Sequence, residues 1–134
     1  MAPYSKNSLS QKLGIKPDMN MTVYAFPGDY KRLLGRRPVG SKVKKKLTRN
    51  REFIHAFFDS QKELAVAFPK LKRNLSKNGM LWISWPKKAY GVKTDLTENV
   101  VREIGLTCGL VDVKVAAIDE KWSGLKFVYR LKDR

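Results

Sequence analysis

The hydrophobic pattern of this chain is strongest in one run near the middle of the sequence. Residues 81–85 carry mostly large apolar side chains on both faces of an extended backbone, and Pro86 and two lysines follow them. Such a run is typical of a central strand that helices cover on both faces, and a proline ends it. The run therefore predicts an α/β fold. It also predicts that any ligand binds beyond the carboxyl ends of the strands.

Ahead of this run, the alternation of apolar residues and the turn residues predict short helices and strands. In order they are a helix over 8–13 closed by Gly14, a strand over 19–26, a helix over 29–34 closed by Gly35, an edge strand around Val43 and Leu47, and an interior strand over 52–58. The interior strand is apolar on both faces, so we expect it to lie beside the central strand.

A longer helix and a terminal hairpin complete the predicted fold. Ser60 and Glu63 form a capping box that begins an amphipathic helix, in which Pro69 is expected to kink or restart the backbone. The remaining predicted features are a turn at Asn78-Gly79, a helix capped by Thr94 or Asp95 and ended by Gly105, and two alternating strands over 111–115 and 125–131. Together the elements predict a single-domain, three-layer Rossmann-like sheet, mostly parallel, with a C-terminal antiparallel hairpin.

Length and composition narrow the classes of protein that fit. The 134 residues suit one domain, which we place at residues 8–134 after a mobile N-terminal arm at residues 1–7. No apolar stretch approaches the roughly 20 residues that span a bilayer, so we expect a cytoplasmic protein with no membrane partner. One Cys and one His provide no zinc-ligand cluster, and we predict no metal.

The charge is the unusual part of the composition. Lys and Arg number 28 against 12 Asp and Glu, which gives a formal net charge of +16. Eight basic residues and no acidic one lie within residues 36–51, which we term the basic segment: Arg36, Arg37, Lys42, Lys44, Lys45, Lys46, Arg49 and Arg51. Such a segment can bind nucleic acid or another polyanion through phosphates without reading bases. The alternative is a solvated loop in a protein whose charge keeps it soluble.

The element order resembles a shortened Rossmann-like methyltransferase fold, and residues 75–83 match that family's helix, turn and apolar strand. A closer resemblance covers nearly the whole chain and points to a family of small prokaryotic proteins of unknown function. It is carried by five stretches: residues 13–17, 53–55, 79–88, 91–97 and 122–126. The first resemblance implies a site for S-adenosylmethionine at the strand ends, whereas the second implies a fold and no activity.

Three departures separate the chain from working methyltransferases. Residues 26–29 contain one glycine where the family has a glycine-rich loop that lets the backbone approach the cofactor. No acidic residue for the ribose occurs from Lys42 to Arg51, and Trp85 stands where amino-methylating enzymes have the first of two prolines. We therefore predict no cofactor, with S-adenosylmethionine as the alternative.

The predicted ligand rim combines cations and aromatic rings at the strand ends. The candidates are Trp85, Lys87, Lys88, Tyr90, Lys93, Thr94 and Trp122. The lysines near a helix start at Thr94 could hold a phosphate or carboxylate, and the rings could hold a planar ligand. The alternative interpretation is that the lysines are solvated and the rings are packed against the core.

Neither of the remaining reactive side chains is predicted to be catalytic. His55 lies within an apolar strand, with no carboxylate partner identifiable by spacing, and we expect a hydrogen-bonded core histidine. Cys108 lacks a base to activate it. The preferred hypothesis is a non-catalytic or degenerate methyltransferase-like module with a strand-end ligand rim and weak, sequence-independent polyanion binding. The alternatives are a divergent enzyme that uses S-adenosylmethionine or a nucleotide, and a protein-interaction scaffold.

Overall fold

The computed structural model describes residues 8–134, so the arm predicted at residues 1–7 lies outside the described residues. The strands of this part of the chain are β1 (Asn20–Tyr24), β2 (Lys42–Lys44), β3 (Arg51–Phe57), β4 (Leu75–Pro86), β5 (Leu110–Ala117) and β6 (Trp122–Tyr129). Its α-helices are α1 (Leu9–Leu13), α2 (Tyr30–Leu34), α3 (Gln61–Asn74) and α4 (Glu98–Thr107), and 3-10 turns lie at Lys88–Tyr90 and Leu131–Asp133.

All six of these strands belong to one sheet in the order β2-β1-β3-β4-β6-β5. The pairs β1–β2, β1–β3 and β3–β4 are parallel, whereas β6 is antiparallel to both β4 and β5. The predicted fold class is therefore confirmed, including the terminal hairpin. The apolar run 81–85 lies in β4 between β3 and β6, the central position that its two apolar faces predicted.

Helices of very different length cover the two faces of the sheet. On one face, which we call the α3 face, α3 and α4 pack over Ile54, Leu81 and Ile83. On the other, the α1 face, the short helices α1 and α2 pack over Phe53 and Trp82. The indole Nε1 of Trp82 donates a 2.9 Å hydrogen bond to the carbonyl oxygen of Leu13, which fixes the end of α1 to the sheet.

Helix α3 does not restart at Pro69 but continues through it. Pro69 lies on the exposed side of the helix, where water can reach the carbonyl that the proline leaves without a donor. The helix end predicted at Gly105 is wrong. Gly105 does not end α4 but lies inside it. The position requires glycine because any Cβ there would overlap the ring of Phe127. The glycine thus serves close packing of a helix on a strand.

The predicted turn at Asn78-Gly79 is also wrong, because β4 already begins at Leu75. Arg51 pairs with Leu75 and Phe53 pairs with Met80, so β4 has extra residues between these pairs and bulges. A Cβ on Gly79 would come within 2.8 Å of the carbonyl oxygen of Arg51. Gly79 therefore allows two backbones to approach closely inside the sheet and does not form a turn.

Candidate ligand cleft at the carboxyl ends of the strands

The strand order reverses at β1, because the chain places β2 on one side of it and β3 on the other. Open α/β sheets bind ligands outside the carboxyl ends of their strands at such a switch point. A cavity of about 840 Å³ lies there, lined by residues that end β1 and β3, by α3 and by the turn before β6. We call it the switch-point cleft.

The residue that ends β1 is held in an unusual conformation. Ala25 has a φ of 64°, in the left-handed region that costs a residue with a Cβ roughly 1–2 kcal/mol. It turns the chain away from the sheet and lines the switch-point cleft. Residues in such conformations cluster at functional sites, which supports this cleft as one.

Aromatic rings form one wall of the switch-point cleft. The rings of Phe57 and Trp122 meet edge to face at 5.1 Å between centroids, and those of Tyr24 and Phe58 lie 5.9 Å apart. Tyr24 is half-buried, whereas the other three are buried. Tyr24 therefore offers the accessible ring face, and the others make the wall rigid and apolar.

Cations outnumber carboxylates around this cleft. Among the described residues its lining includes four basic side chains, Lys62, Lys70, Arg73 and Lys121, and two acidic ones, Asp59 and Glu63. The ammonium of Lys70 lies 5.1 Å from the centroid of the Tyr24 ring, and that of Lys121 lies 4.9 Å from the Trp122 ring. The arrangement attracts an anionic group to the edge of an aromatic wall.

Most of these lining residues were missed in the sequence. Lys62, Lys70 and Arg73 recur at helical spacing, which is also the pattern of any solvated helix face. Val66 lies on the same side of α3 and is 75% exposed. In the sequence, the signal that this helix face borders a cleft is an apolar residue, Val66, at helical spacing between Lys62 and Lys70.

A second cavity, of about 870 Å³, adjoins the first at the carboxyl end of β1. We call it the neighbouring cleft. The two share Tyr24 and Ala25, and the neighbouring cleft adds Phe26, Lys31 and Lys45. Asp29 also lines it, but this carboxylate caps α2 by accepting a 3.3 Å hydrogen bond from the N–H of Arg32.

The structure separates the aromatic residues of the predicted rim. Trp122 forms part of the cleft wall, but Trp85 is buried on the α3 face of the sheet, opposite Trp122. Tyr90 is 51% exposed in the 3-10 turn, with its ring 6.0 Å from the ammonium of Lys121. The three rings therefore do not form one surface.

The predicted cations of the rim lie beside the cleft rather than in its lining. The N–H of Lys87 donates a 2.7 Å hydrogen bond to the carbonyl oxygen of Lys121, which joins the end of β4 to the turn before β6. Lys88 and Lys93 are exposed. Ligand binding by these lysines stays a prediction.

The predicted helix start at Thr94 is wrong, because α4 begins at Glu98 with Thr97 as its cap. Thr94 instead donates a 2.6 Å hydrogen bond to the carbonyl oxygen of Asp59. Asp95 accepts a 2.7 Å hydrogen bond from the N–H of Gln61, in the first turn of α3. Both residues thus tie the loop after β4 to the turn that enters α3, and Asp95 takes a backbone donor that an anion would otherwise use.

The basic segment is dispersed over the surface. Arg36, Lys42, Lys44, Lys45, Lys46 and Arg49 are exposed, while Arg37 and Arg51 are half-buried. A side-chain nitrogen of Arg37 donates to the carbonyl oxygen of Ser41 and so holds the loop before β2. Within the described residues, Lys45 is the member of this segment that lines either of the two clefts. Binding of a polyanion by the segment as a whole stays a prediction.

His55 lies in the core and is hydrogen-bonded, as the sequence predicted. Its Nδ1 lies 2.7 Å from the hydroxyl of Tyr30 and its Nε2 lies 2.7 Å from the hydroxyl of Ser84, and all three side chains are buried. Burial lowers the pKa of His55 to about 3 and raises the pKa of Tyr30. The imidazole is therefore neutral. Ser84, the one polar residue within the run 81–85, was the signal for this partner.

The described residues offer less support for a nucleophilic cysteine, a metal site or a membrane-spanning helix. Burial raises the pKa of the Cys108 thiol, which disfavours the nucleophilic thiolate. Within residues 8–134, no three His, Cys, Asp or Glu side chains gather as they would around a metal ion. In that same part of the chain, each helix is too short or too polar to cross a bilayer.

Solved structures that share this fold include methyltransferases. A SAM-dependent methyltransferase from Aquifex aeolicus superposes with a TM-score of 0.61 at 17% identity, covering 87% of this chain and 85% of that one. Magnesium protoporphyrin IX methyltransferase of Synechocystis PCC 6803 with bound S-adenosylhomocysteine gives 0.54 at 11% identity, with 91% and 78% covered. The pre-rRNA processing protein fibrillarin of Methanococcus jannaschii gives 0.59 at 12% identity, with 90% and 73% covered.

No family model and no curated protein matches the sequence, so the closer resemblance to a prokaryotic family stays a prediction. The residues at the end of β1 fit the methionine part of S-adenosylmethionine poorly. The ring of Phe26 occupies the loop and packs 4.6 Å from the Phe57 ring. The excess of cations around the switch-point cleft also opposes a ligand with a sulfonium and an ammonium group against one carboxylate. At these identities the comparisons identify the fold, which is that of the Rossmann-like methyltransferases.

Proposed function

We propose that this chain is a non-catalytic ligand-binding module on a methyltransferase-like sheet. Its ligand is a planar anionic small molecule, such as a mononucleotide, in the switch-point cleft. The observation that carries the proposal is the pairing of an aromatic wall with four cations against two carboxylates among the described lining residues. The ring of Tyr24 takes the planar part when Lys70, whose ammonium lies over that ring, turns to the anionic part beside Lys62 and Lys121.

Isothermal titration calorimetry with adenosine monophosphate (AMP), adenosine and S-adenosylmethionine tests the proposal. We expect AMP to bind more tightly than the other two, because only AMP brings a phosphate to the lysines. Lys70→Gln should weaken AMP binding by about tenfold, the worth of one charge-assisted hydrogen bond. Lys132→Gln is the matched control, since Lys132 is exposed in the 3-10 turn after β6, at the opposite edge of the sheet. Equal binding of AMP and adenosine contradicts the proposal.

A divergent enzyme that uses S-adenosylmethionine is the second candidate. It is supported by the fold and by neighbours that include a methyltransferase holding S-adenosylhomocysteine. This function requires saturable binding of S-adenosylhomocysteine that AMP displaces, together with transfer of a labelled methyl group to an acceptor. Tighter binding of S-adenosylmethionine than of AMP would favour this candidate over the module.

The proposal also includes weak, sequence-independent binding of polyanions to the basic segment. Six of its eight cations are exposed, and the chain carries a formal charge of +16. Binding to a polyanion such as heparin should weaken steeply as salt is added, because each neutralised anionic group releases counterions. Salt-insensitive binding, or none at low salt, would contradict this part of the proposal.

A further inference from the structure

The two clefts lie next to each other at the carboxyl edge of the sheet. The switch-point cleft and the neighbouring cleft share Tyr24 and Ala25 at the end of β1, and neither is closed to solvent. We call the two clefts together the groove. It runs from Trp122 at one end to Lys45 at the other, past the ends of three parallel strands. A ligand larger than one nucleotide can therefore lie along it.

Basic side chains line both parts of the groove. Among the described residues there are six cations against three carboxylates: Lys31, Lys45, Lys62, Lys70, Arg73 and Lys121 against Asp29, Asp59 and Glu63. Asp29 is already used as the cap of α2. The positive charge thus continues beyond the site for a single phosphate, which suits a ligand with several phosphates in a row.

Two half-buried rings lie on either side of Ala25. Tyr24 packs toward the α3 face of the sheet and Phe26 packs toward the α1 face, where its ring meets those of Phe57 and Tyr30. Tyr24 lines both clefts, and Phe26 lines the neighbouring cleft. Tyr24 thus offers its ring on one side of Ala25 and Phe26 on the other, so that each cleft has a stacking surface near its own cations. Alternating rings and cations are the pattern of proteins that bind single-stranded nucleic acid.

We propose that the groove binds single-stranded nucleic acid, with its phosphates beside the lysines and its bases against Tyr24 and Phe26. This inference rests on the function proposed for the switch-point cleft and extends it from one nucleotide to a strand. A duplex keeps its bases stacked inside and cannot bring them to rings that lie within a cleft. The groove therefore distinguishes single strands from duplexes, although it does not read sequence.

Fluorescence anisotropy with a labelled oligothymidine of about ten nucleotides, and with a duplex of the same length, tests the inference. The single strand should bind at least about tenfold more tightly than the duplex. With about four phosphates neutralised, its affinity should fall about 50-fold between roughly 50 and 200 mM salt. Tyr24→Leu should weaken binding at least about fivefold, the lower range for loss of one stacked base.

Lys31→Gln separates this inference from the proposed function. Lys31 is exposed, so the variant should fold, and it lines the neighbouring cleft but lies outside both the switch-point cleft and the basic segment. It should weaken oligothymidine binding and lower its salt dependence, while AMP binding stays unchanged; Lys132→Gln should change neither. Equal affinity for strand and duplex, or unchanged oligothymidine binding by Lys31→Gln, overturns the inference. If AMP binds but the single strand binds no more tightly than the duplex, the inference alone is overturned. If neither AMP nor the single strand binds, the proposed function is overturned as well.

Discussion

Lowering the pH should destabilise this protein through His55. In the folded chain, burial between the hydroxyls of Tyr30 and Ser84 lowers the pKa of His55 to about 3, whereas an unfolded chain has a histidine pKa near 6.5. Between these values the unfolded state binds a proton that the folded state does not, so the free energy of unfolding falls as the pH falls. At pH 5 the loss is about 2 kcal/mol, from roughly 1.5 pH units at 1.36 kcal/mol each.

Urea denaturation followed by tryptophan fluorescence, at about pH 7 and about pH 5, measures this loss. His55→Gln is the matched variant, because an amide can donate and accept hydrogen bonds but does not titrate. Carboxylates titrate in both proteins, so the difference between their two losses belongs to the imidazole. The variant should lose about 2 kcal/mol less than the wild type. Equal losses in the two proteins would refute the argument that a buried neutral histidine links folding to pH.

Three further substitutions test the packing. Gly105→Ala should destabilise the protein by about 1–3 kcal/mol although alanine favours helices, because the new Cβ overlaps the ring of Phe127; an unchanged melting temperature would show that the ring can move. Ala25→Gly should raise the free energy of unfolding by about 0.5–1 kcal/mol, since glycine removes the cost of a φ of 64° but loses more backbone entropy. Thr22→Val should also raise it, by about 1 kcal/mol in urea denaturation, because the buried Oγ1 of Thr22 has no partner within residues 8–134.

Local signals in the sequence predicted most of the fold. The apolar runs of β3 and β4 reflect burial on both faces of those strands, and the alternation of β6 reflects its alternating burial, whereas the alternating Val113 and Val115 of β5 are exposed. The helix starts at Ser8 and Ser60 were predicted because capping is a contact within four residues. These features depend on near neighbours, which the sequence displays directly.

The errors arise where a residue serves a distant partner. Gly105 has the local pattern of a helix end, but its role depends on Phe127, more than twenty residues away. Thr94 and Asp95 look like caps of the following helix, yet they bond to Asp59 and Gln61, which precede them in the chain. Spacing within one segment carries no information on such contacts.

The sequence predicted the edge of the sheet at which the candidate site lies, but only some of the residues that line it. The rule for open α/β sheets places ligands at the carboxyl ends of the strands, and the cleft lies there with Trp122 in its wall. The lysines of α3 were missed because a solvated helix face and a cleft wall have the same sequence pattern. Tyr24 lies within the strand predicted over residues 19–26, and nothing local in the sequence distinguishes a strand end that borders a cavity.

The unequal helical cover of the sheet determines the order in which the chain can become ordered. Helices α1 and α2 have five residues each, too short to persist without a surface to pack on. The surface for α1 includes Trp82, whose indole holds the carbonyl of Leu13, and β4 lies far later in the chain. The region synthesised first must therefore wait for the region synthesised later. We expect its backbone amides to be the last to gain protection from hydrogen exchange during refolding and the first to lose it when the native protein opens.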